Sequence, residues 1–310
     1  MNKIKIAITG ASGFIGKHLI EDLDANFSDV ILITRNKEKI TQNSKNFKII
    51  EADLLNVDSL KLAFKNVDLV INLAAEVRDY HKIKQTNIQG TKNLIEAIEF
   101  CHVKKIIHLS SVGVLGQSYS NRKLILNEDE VCDPKNEYEK TKRISENIIL
   151  EASKNENFEL VILRPTNVFG EHHPFNAILN LMKHIQQKKI IVLDKKATVN
   201  YLYVKDLSAV ICELISISPP FKIINVGSSD SLHDFLKMMA KELDSKLNLI
   251  FIPTFVVKLL NLMKINKLNS VTNKIVHADL KLKSFFNYSF KNSIGIKNTI
   301  QFYEKNKLIS

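Results

Sequence analysis

A tyrosine and a lysine four residues apart, Tyr138 and Lys142, carry the side chains best suited to acid–base chemistry in this chain of 310 residues. Their spacing places both on one face of a predicted helix over Tyr138–Lys154. A phenol has an ordinary pKa of about 10 and is a poor base at neutral pH. A nearby ammonium favours the phenolate, so we expect Lys142 to lower the pKa of Tyr138. The tyrosine would then exchange a proton with a hydroxyl or a carbonyl.

A serine is expected beside this pair. Ser110 and Ser111 follow the apolar run Lys105–Leu109, a predicted strand. Ligands of open α/β sheets bind at the carboxyl ends of strands, where the Ser111 hydroxyl can orient the reacting oxygen. A Tyr-x-x-x-Lys pair alone arises easily by chance in a Lys-rich sequence and is then a solvated helix face. The order of the Ser-bearing strand followed by the pair favours the catalytic interpretation.

Three glycines, Gly10, Gly13 and Gly16, follow the first predicted strand, Ile4–Thr9, and lead directly into a helical pattern. Backbone N–H groups at a helix N-terminus attract a pyrophosphate, which approaches closely only where no Cβ intervenes. The spacing differs from the general G-x-G-x-x-G fingerprint, and a glycine-rich turn without a ligand is the alternative. The position straight after the first strand favours a dinucleotide site, with these predicted contacts: Gly10, Ser12, Gly13, Phe14, Ile15 and Gly16.

The ends of later strands add further predicted cofactor contacts. Arg35 follows the second strand, Val30–Thr34, where no acidic residue is present to bind the ribose hydroxyls of NAD. An arginine there can pair with the 2′-phosphate of NADP, so NADP is favoured, although Arg35 stacked on the adenine of NAD is the alternative. Asp53 is expected to accept a hydrogen bond from the adenine amino group, unless it caps the next helix, for which Asn56 and Asp58 lie nearer. The remaining predicted contacts are Leu54, Leu73, Ala74 and Ala75.

Strands alternate with helices through the first half of the chain. Alternation of this kind predicts parallel crossovers and a sheet covered on both faces. The predicted fold is α/β, a Rossmann-type doubly wound parallel sheet with a smaller C-terminal substrate lobe. We expect a dinucleotide-binding domain over residues 1–164 and a substrate-binding lobe mainly over residues 165–310, with segments near residues 201–228 returning to the first domain. Ile223–Val226 is predicted to be a strand at the edge of the sheet.

Composition limits the class of protein. The net charge is +11, but the lysines are spread along the chain, which favours a solvated surface over a nucleic-acid groove. Three cysteines without metal-ligand spacing predict free thiols, no metal site and a reducing compartment. The longest apolar stretch, Leu247–Ile265, is interrupted by Pro253 and Lys258, so no membrane span and a cytoplasmic protein are expected. Within it, Phe255–Met263 is a core helix, a pocket cap or a membrane contact.

Taken together, these motifs resemble the extended short-chain dehydrogenase/reductases, and within them the NAD-dependent epimerase/dehydratase family. TGASGFIG resembles the cofactor turn of that family, and Ser111, Tyr138 and Lys142 match its Ser/Thr, Tyr and Lys positions. Asn87, in TNIQGT, resembles an asparagine that helps to hold the active site together. LRPTNVFG resembles a segment that passes near the nicotinamide, and YLYVKDL resembles the stretch that leads back to the main domain. The resemblance implies cofactor contacts from these residues: Asn87, Tyr138, Lys142 and Pro165.

The resemblance implies an NAD(P)-dependent sugar-nucleotide epimerase or 4-ketoreductase with Tyr138 as acid and base. It also implies a small-molecule partner, a nucleotide sugar bound by Glu76, Ser111 and Asn167, and a homodimer formed through the helices Ile83–Cys101 and Tyr138–Lys154.

The chain departs from the family pattern at several positions, which include Leu115 and Phe169 in place of its usual tyrosines. Thr198-Val199-Asn200 lacks the arginine that binds the nucleotide diphosphate in many sugar-nucleotide epimerases. Ser111-Val112-Gly113 lacks the Thr-Asp-Glu pattern of the dehydratases, which argues against sugar dehydration. One alternative is therefore an NADPH-dependent reductase or dehydrogenase of a non-sugar carbonyl or alcohol, such as a steroid-like or flavonoid-like compound. The other is a non-catalytic cofactor-binding regulator, against which the intact Ser, Tyr and Lys set argues.

Overall fold

The computed structural model describes residues 4–24, 29–40, 47–116, 119–120, 122–155, 158–174, 177–227, 229–253, 255–256, 269–286 and 291–309. The chain divides into two compact units. Unit 1 consists of residues 1–116, 131–165 and 208–224, and unit 2 consists of residues 117–130, 166–207 and 225–310.

The strands in the described residues, in chain order, are β1 (Ile6–Thr9), β2 (Val30–Thr34), β3 (Phe47–Glu51), β4 (Leu69–Asn72), β5 (Lys105–Leu109), β6 (Leu124–Leu126), β7 (Glu159–Pro165), β8 (Asn167–Phe169), β9 (Ile191–Leu193), β10 (Thr198–Val199), β11 (Tyr201–Tyr203), β12 (Ile223–Val226), β13 (Asp230–Ser231), β14 (Leu249–Phe251) and β15 (Ile275–His277). The α-helices are α1 (Phe14–Asp24), α2 (Val57–Ala63), α3 (Tyr80–Lys84), α4 (Gly90–Phe100), α5 (Glu137–Asn155), α6 (Ala177–Gln186), α7 (Val204–Ser216), α8 (Leu232–Glu242), α9 (Asn269–Thr272), α10 (Leu280–Phe285) and α11 (Asn292–Lys305).

The central sheet has seven strands among the described residues, in the order β12-β7-β5-β4-β1-β2-β3. The pairs from β7 to β3 are parallel, with Ile8 of β1 opposite both Leu32 and Ile71. All residues of β1, β2, β4 and β5 are buried, as strands covered on both faces require. The predicted Rossmann-type fold is confirmed, and so is the position of Ile223–Val226 at the sheet edge.

The strand order reverses beside β1. The chain runs outward from β1 through β2 to β3 and then crosses back to β4 on the other side of β1. Loops that leave β1 and β4 at their carboxyl ends therefore diverge, and the space between them is where ligands bind in this class of sheet. A buried apolar cluster packs α2 and α4 against the sheet. It includes Leu60 of α2, Phe64 directly after α2, and Leu94 and Ile98 of α4.

One predicted helix differs in form. Ile83–Cys101 was expected to be a single helix, but α3 and α4 are joined by a π-helical turn over Gln85–Gln89. A π turn inserts an extra residue into a helix and is frequent at functional sites. Here it contains the predicted site residue Asn87, whose side chain is buried.

Unit 2 is built from short strand pairs. The parallel pairs are β8 with β11, β9 with β14, and β6 with β15, and β10 pairs antiparallel with β13. The ring of Tyr201 stacks on Phe235 of α8 with centroids 5.0 Å apart. Most of the predicted helix Val256–Lys264 lies outside the described residues. Across the part of the chain that the structure describes, no helix is both long and apolar enough to cross a bilayer.

Candidate functional site

The glycine turn lies at the carboxyl end of β1. Gly10 has a φ of +70°, and a Cβ there would lie 2.7 Å from the backbone nitrogen of Ala74. The Gly13 N–H donates to the Gly10 carbonyl at 2.9 Å, and α1 begins at the next residue, Phe14. Only a residue without a side chain fits this combination of positive φ and close backbone approach. The turn therefore presents bare backbone at a helix N-terminus, the arrangement that suits a pyrophosphate.

A crevice of about 200 Å³ opens beside this turn within unit 1. It brings together ten of the residues predicted from the sequence: Gly10, Ser12, Gly13, Arg35, Asp53, Leu54, Leu73, Ala74, Ala75 and Glu76. Phe14, Ile15 and Gly16 lie in the first turn of α1 and are not among its lining residues. Sequence reasoning missed these lining residues: Thr9, Ile33, Thr34, Ala52, Leu60 and Thr86. The first four stand at strand ends next to predicted contacts, so strand position was the signal that could have found them.

The end of β2 carries hydroxyls and a cation. The hydroxyls of Ser12 and Thr34 lie 3.2 Å apart, and the Asn36 N–H donates to Thr34 Oγ1. Arg35, which stands between Thr34 and Asn36 in the chain, lines the crevice, and its side chain is exposed. Asn56, not Asp53, caps α2, because Asn56 Oδ1 accepts from the Ser59 N–H at 3.0 Å. This leaves Asp53 in the crevice wall, where adenine recognition stays a prediction.

Glu76 lies in the loop after β4, and the structure commits part of its carboxylate to that loop. Glu76 Oε1 accepts from the backbone N–H groups of Val77, Arg78 and Asp79 at 3.0, 2.9 and 3.1 Å. Burial raises the pKa of Glu76, but these three donors outweigh it and the pKa is lowered overall. The expected role of Glu76 in substrate binding stays a prediction, since its ionised carboxylate already has a structural role.

Asn87 connects this loop to α5. Its Oδ1 accepts from the Glu76 N–H at 2.8 Å, and its Nδ2 donates to the Glu76 carbonyl at 3.0 Å and to Thr141 Oγ1 at 3.1 Å. The Thr141 hydroxyl donates in turn to the carbonyl of Tyr138. Asn87 therefore holds the first turn of α5 against the loop after β4, and the neighbouring Thr86 lines the crevice.

A capping box places Tyr138. Asn136 Oδ1 accepts from the Glu139 N–H at 2.9 Å, while Glu139 Oε2 accepts from the Asn136 N–H at 3.3 Å. The reciprocal pair satisfies two backbone donors of the helix start. Since α5 begins at Glu137, Tyr138 lies in its first turn.

Lys142 is buried one turn further along α5, with 3% of its surface exposed. Its Nζ donates to the Leu109 carbonyl of β5 at 2.5 Å. Burial lowers the pKa of Lys142 to about 8, against the opposing effect of the Glu146 carboxylate. Two residues after Leu109, Ser111 Oγ accepts from the Gly113 N–H at 3.1 Å and caps the turn Val112–Leu115.

The expected effect of the lysine on the tyrosine is not found. The pKa of Tyr138 is raised to about 12, first by burial and second by the Glu139 carboxylate. Lys142 is not among the groups that shift this pKa, so the expected lowering by the ammonium is not seen in the protein by itself, and the catalytic role of the pair stays a prediction. Tyr138 is a protonated phenol at neutral pH.

The other residues predicted from the sequence lie in or near β7 and β8. Pro165 ends β7, directly after Arg164, which forms a buried ion pair with Glu146 at 2.7 Å. Asn167 begins β8 in unit 2, is exposed, and stands opposite Tyr201 of β11. Cys132 accepts a hydrogen bond from Arg164, and all three cysteines are free thiols.

The model of the NAD dependent epimerase/dehydratase family matches residues 6–227. The chain belongs to this family. Its enzymes are NAD-dependent and of the extended short-chain dehydrogenase/reductase type, so the resemblance drawn from the motifs is confirmed, and the chain is an enzyme of this oxidoreductase kind.

Several curated relatives extend over most of the chain. dTDP-D-glucose 4,6-dehydratase of Homo sapiens is 27% identical over 262 residues, which cover 77% of this chain and 73% of the relative. N-acetyl-alpha-D-glucosaminyl-diphospho-ditrans,octacis-undecaprenol 4-epimerase of Escherichia coli O157:H7 is 32% identical over 244 residues, 74% of this chain and 66% of the relative. The solved structure of UDP-glucuronic acid 4-epimerase from Bacillus cereus in complex with NAD shares the fold, with a TM-score of 0.75, 24% identity and coverage of 99% of this chain and 100% of the other.

Proposed function

We propose that the protein is a nucleotide-sugar 4-epimerase that binds a nicotinamide dinucleotide at the glycine turn and uses Tyr138 as its acid and base. The observation that carries this proposal is that Lys142 and Ser111 both lie at the carboxyl end of β5. Lys142 donates to the Leu109 carbonyl, and Ser111 follows Leu109 by two residues. The first turn of α5, with Tyr138, packs against the turn that Ser111 caps, since a Cβ on Gly113 would lie 3.0 Å from Glu139 Cγ.

The crevice fits the adenosine and pyrophosphate parts of a dinucleotide. Bare backbone at Gly10 and Gly13 suits the pyrophosphate, and the small side chains of Ala74 and Ala75 leave room along the end of β4. When bound, the nicotinamide supplies reversible hydride exchange with a carbon of the substrate. Pro165 is proposed to contact the nicotinamide, and Asn167 is proposed to bind the substrate.

Tyr138 would move the proton of the reacting oxygen. In epimerisation the same phenol takes a proton from a hydroxyl and returns it to the carbonyl intermediate, so no proton is lost overall. A phenol with a pKa of about 12 holds its proton at neutral pH, and it acts as a base only as the phenolate, which a nearby positive charge favours. Lys142 is the positive group one helical turn away, and Ser111 is proposed to hold the oxygen in place.

Turnover of nucleotide sugars tests the reaction. The protein is incubated with UDP-glucose, UDP-glucuronic acid, UDP-N-acetylglucosamine or dTDP-glucose in turn, and products are followed by proton NMR. We expect a 4-epimer to form without net consumption of dinucleotide. Product formation only with stoichiometric loss of NADPH would replace the epimerase with a 4-ketoreductase or a reductase of another carbonyl, and dinucleotide binding without any turnover would favour a regulator.

Tyr138→Phe tests the role of the phenol. Loss of the transferable proton should lower kcat by about 10²-fold to 10⁴-fold, while the dissociation constant of the dinucleotide changes little. The matched control is Tyr80→Phe, because Tyr80 is 67% exposed and lies at the start of α3. A Tyr138→Phe protein with unchanged kcat would contradict the assigned role.

NADP is proposed over NAD as the preferred cofactor, because Arg35 lines the crevice directly after β2 ends at Thr34, where no carboxylate is present. A charge-assisted pair with a 2′-phosphate contributes about 1.5–3 kcal/mol, so Arg35→Ala should weaken NADP binding by about 10-fold to 100-fold and NAD binding much less. Calorimetric titration of both dinucleotides measures this, with the exposed Arg78→Ala as control. Equal losses for the two cofactors would show that Arg35 stacks on the adenine instead.

A homodimer and a cytoplasmic location complete the proposal. Phe100, the last residue of α4, is 67% exposed, and Ile144 of α5 is 41% exposed. These exposed apolar side chains support an interface at the two helices. Size-exclusion chromatography with light scattering tests the dimer, which Ile144→Glu should weaken.

A further inference from the structure

A continuous line of buried hydrogen bonds crosses unit 1 beneath the site, and sequence reasoning missed it. It joins the side chains of Thr9, Asn72, His108, Ser145 and Thr91, each of which is at most 4% exposed. The successive distances are 2.5, 2.9, 3.3 and 2.7 Å, and Thr91 Oγ1 lies 2.7 Å from the Asn87 carbonyl. We call this set the buried line. It runs from β1 through β4 and β5 to α5 and α4.

The direction of every bond in the buried line follows from one end. The Asn87 carbonyl can only accept, so the Thr91 hydroxyl donates to it. Thr91 Oγ1 then accepts from the Ser145 hydroxyl, and Ser145 Oγ must accept from His108 Nε2–H. On the other side of the ring, His108 Nδ1 accepts from the Asn72 amide.

The far end of the buried line agrees with this direction. Asn72 Oδ1 accepts from the Thr9 hydroxyl, which leaves Asn72 Nδ2 to donate to the imidazole. The ring of His108 is thus a neutral Nε2–H tautomer, and a second proton on Nδ1 would face an N–H donor. Every polar atom of the buried line has a partner, which is how a buried polar network avoids the cost of desolvation.

The charges around His108 oppose its protonation as well. Burial lowers the pKa of His108 well below its ordinary value, and the Lys142 ammonium adds to this effect. The charged groups next to Lys142 include Glu146 on α5, which raises the pKa of Lys142. Arg164 on β7 and Arg143 on α5 both pair with that Glu146 carboxylate. A charged His108 would therefore add a second cation beside a lysine that is already desolvated.

We propose that His108 is a positioning residue of the reaction, because its neutral Nε2–H bonds Ser145 of α5 while the next carbonyl along β5 holds Lys142. The two bonds fix α5 to β5 at positions one helical turn apart, Lys142 and Ser145. Loss of the imidazole bond frees the helix to shift and takes Lys142 away from the Leu109 carbonyl. The proposal rests on the proposed roles of Tyr138 and Lys142 for its effect on turnover.

The tautomer is tested without any substrate. Long-range proton–nitrogen NMR spectra of protein with ¹⁵N-labelled histidine report which ring nitrogen carries hydrogen, and His108→Gln identifies the His108 signals by their absence. We expect an Nε2–H ring whose shifts do not change between about pH 5.5 and 8.5. An Nδ1–H ring, or titration within that range, would overturn the proposal. Thr91→Val removes the group that sets the direction and should yield a mixture of tautomers.

Positioning is tested with a conservative and a disruptive variant. The amide nitrogen of His108→Gln can replace Nε2–H as the donor to Ser145, whereas His108→Phe cannot donate. Amide exchange across Lys142–Ser145 should become about 10-fold faster in the Phe variant and stay close to wild type in the Gln variant. With UDP-glucose as the probe, the Phe variant should lose about 30-fold in kcat with little change in KM, and the Gln variant about 3-fold or less.

The pH profile gives the sign of the effect. An ammonium that loses its carbonyl partner becomes easier to deprotonate, so the apparent pKa of Lys142 in the kcat profile should fall in His108→Phe. A rise would mean that a charged imidazole had been removed, which contradicts the proposal. Equal damage in the Gln and Phe variants, or none in either, would also overturn it. If wild type does not turn over UDP-glucose, that substrate is wrong, and the NMR and exchange results still decide the role of His108.

Discussion

Two regions of unit 1 are built in opposite ways. The glycine turn that borders the crevice is made from bare backbone, with Gly10 packed against the backbone of Ala74. The region at the start of α5 is made from ionisable side chains removed from water, with Tyr138 and Lys142 shifted in pKa to about 12 and about 8. The first region excludes any side chain at Gly10 by steric overlap. In the second region, burial sets the pKa values of the side chains.

The difference explains which expectations succeeded. A steric requirement appears in the sequence directly, because glycine is the only residue that combines positive φ with no Cβ. A pKa depends on how deeply the surrounding chain buries the group, which no spacing rule contains. Burial and the neighbouring Glu139 carboxylate raise the pKa of Tyr138, and the Tyr-x-x-x-Lys spacing predicts neither of them.

The largest effect is expected at the steric region. Gly10→Ala places a Cβ 2.7 Å from the Ala74 nitrogen at a φ of +70°, so both strain and overlap oppose it. We expect the free energy of unfolding to fall by about 3 kcal/mol or more and dinucleotide binding to be lost. Urea denaturation and calorimetric titration measure the two losses.

Gly13→Ala is the matched control for that experiment. A Cβ on Gly13 would lie 3.1 Å from the Gly10 carbonyl oxygen, a tight contact that a shift of a few tenths of an ångström relieves. Its cost should be about 1 kcal/mol. A loss of about 1 kcal/mol or less in both variants, with dinucleotide binding intact, would mean that the turn tolerates side chains and that the crevice is not defined by bare backbone.

The second effect belongs to the buried region. The pKa of Lys142 is about 8 in the folded protein against an ordinary value of 10.5, so the unfolded chain binds more protons between these two pH values. The free energy of unfolding therefore rises with pH across that window. Integrated over the shift, the gain from Lys142 is about 3 kcal/mol as an order of magnitude.

Lys142→Met removes this dependence. Between about pH 7 and pH 10, wild type should gain stability relative to the variant, as measured by urea denaturation at each pH. Lys140→Met is the control, since Lys140 is exposed on the same helix and should leave the pH dependence of wild type intact. A wild type that tracks Lys142→Met at every pH would mean that Lys142 keeps an ordinary pKa.

The sequence was sufficient for the fold of unit 1. Apolar runs of isoleucine, valine and leucine predict the buried strands, and the ends of β2, β5 and β12 agree with the predicted ends. In unit 2 the short pairs such as β8 with β11 were not predicted, because strands of three residues carry too little periodicity to be distinguished from loops. Their pairing is fixed by tertiary packing.

The site was predicted in part for the same reason. Residues next to strand ends and glycines were found, since their position along the chain determines their place on the sheet edge. The buried line through His108 was not found, because it joins groups far apart in the chain, such as His108 and Ser145. The bonds of the Glu76 carboxylate are local, to the N–H groups of the next three residues, and depend on a loop conformation that the residue types alone do not specify. A histidine inside the apolar run Lys105–Leu109 was the available signal.

The smallest effect separates helix stability from site geometry. Asn136→Ala breaks the capping box of α5, and Asn56→Ala breaks the N-cap of α2, so each should lower the free energy of unfolding by about 1 kcal/mol. Only Asn136 holds the turn that contains Tyr138, so only Asn136→Ala should also lower kcat, by several-fold, with UDP-glucose as the probe. Equal kcat in the two variants would show that fraying of the first turn of α5 does not move the phenol. The start of α5 would then tolerate local change, in contrast to the glycine turn.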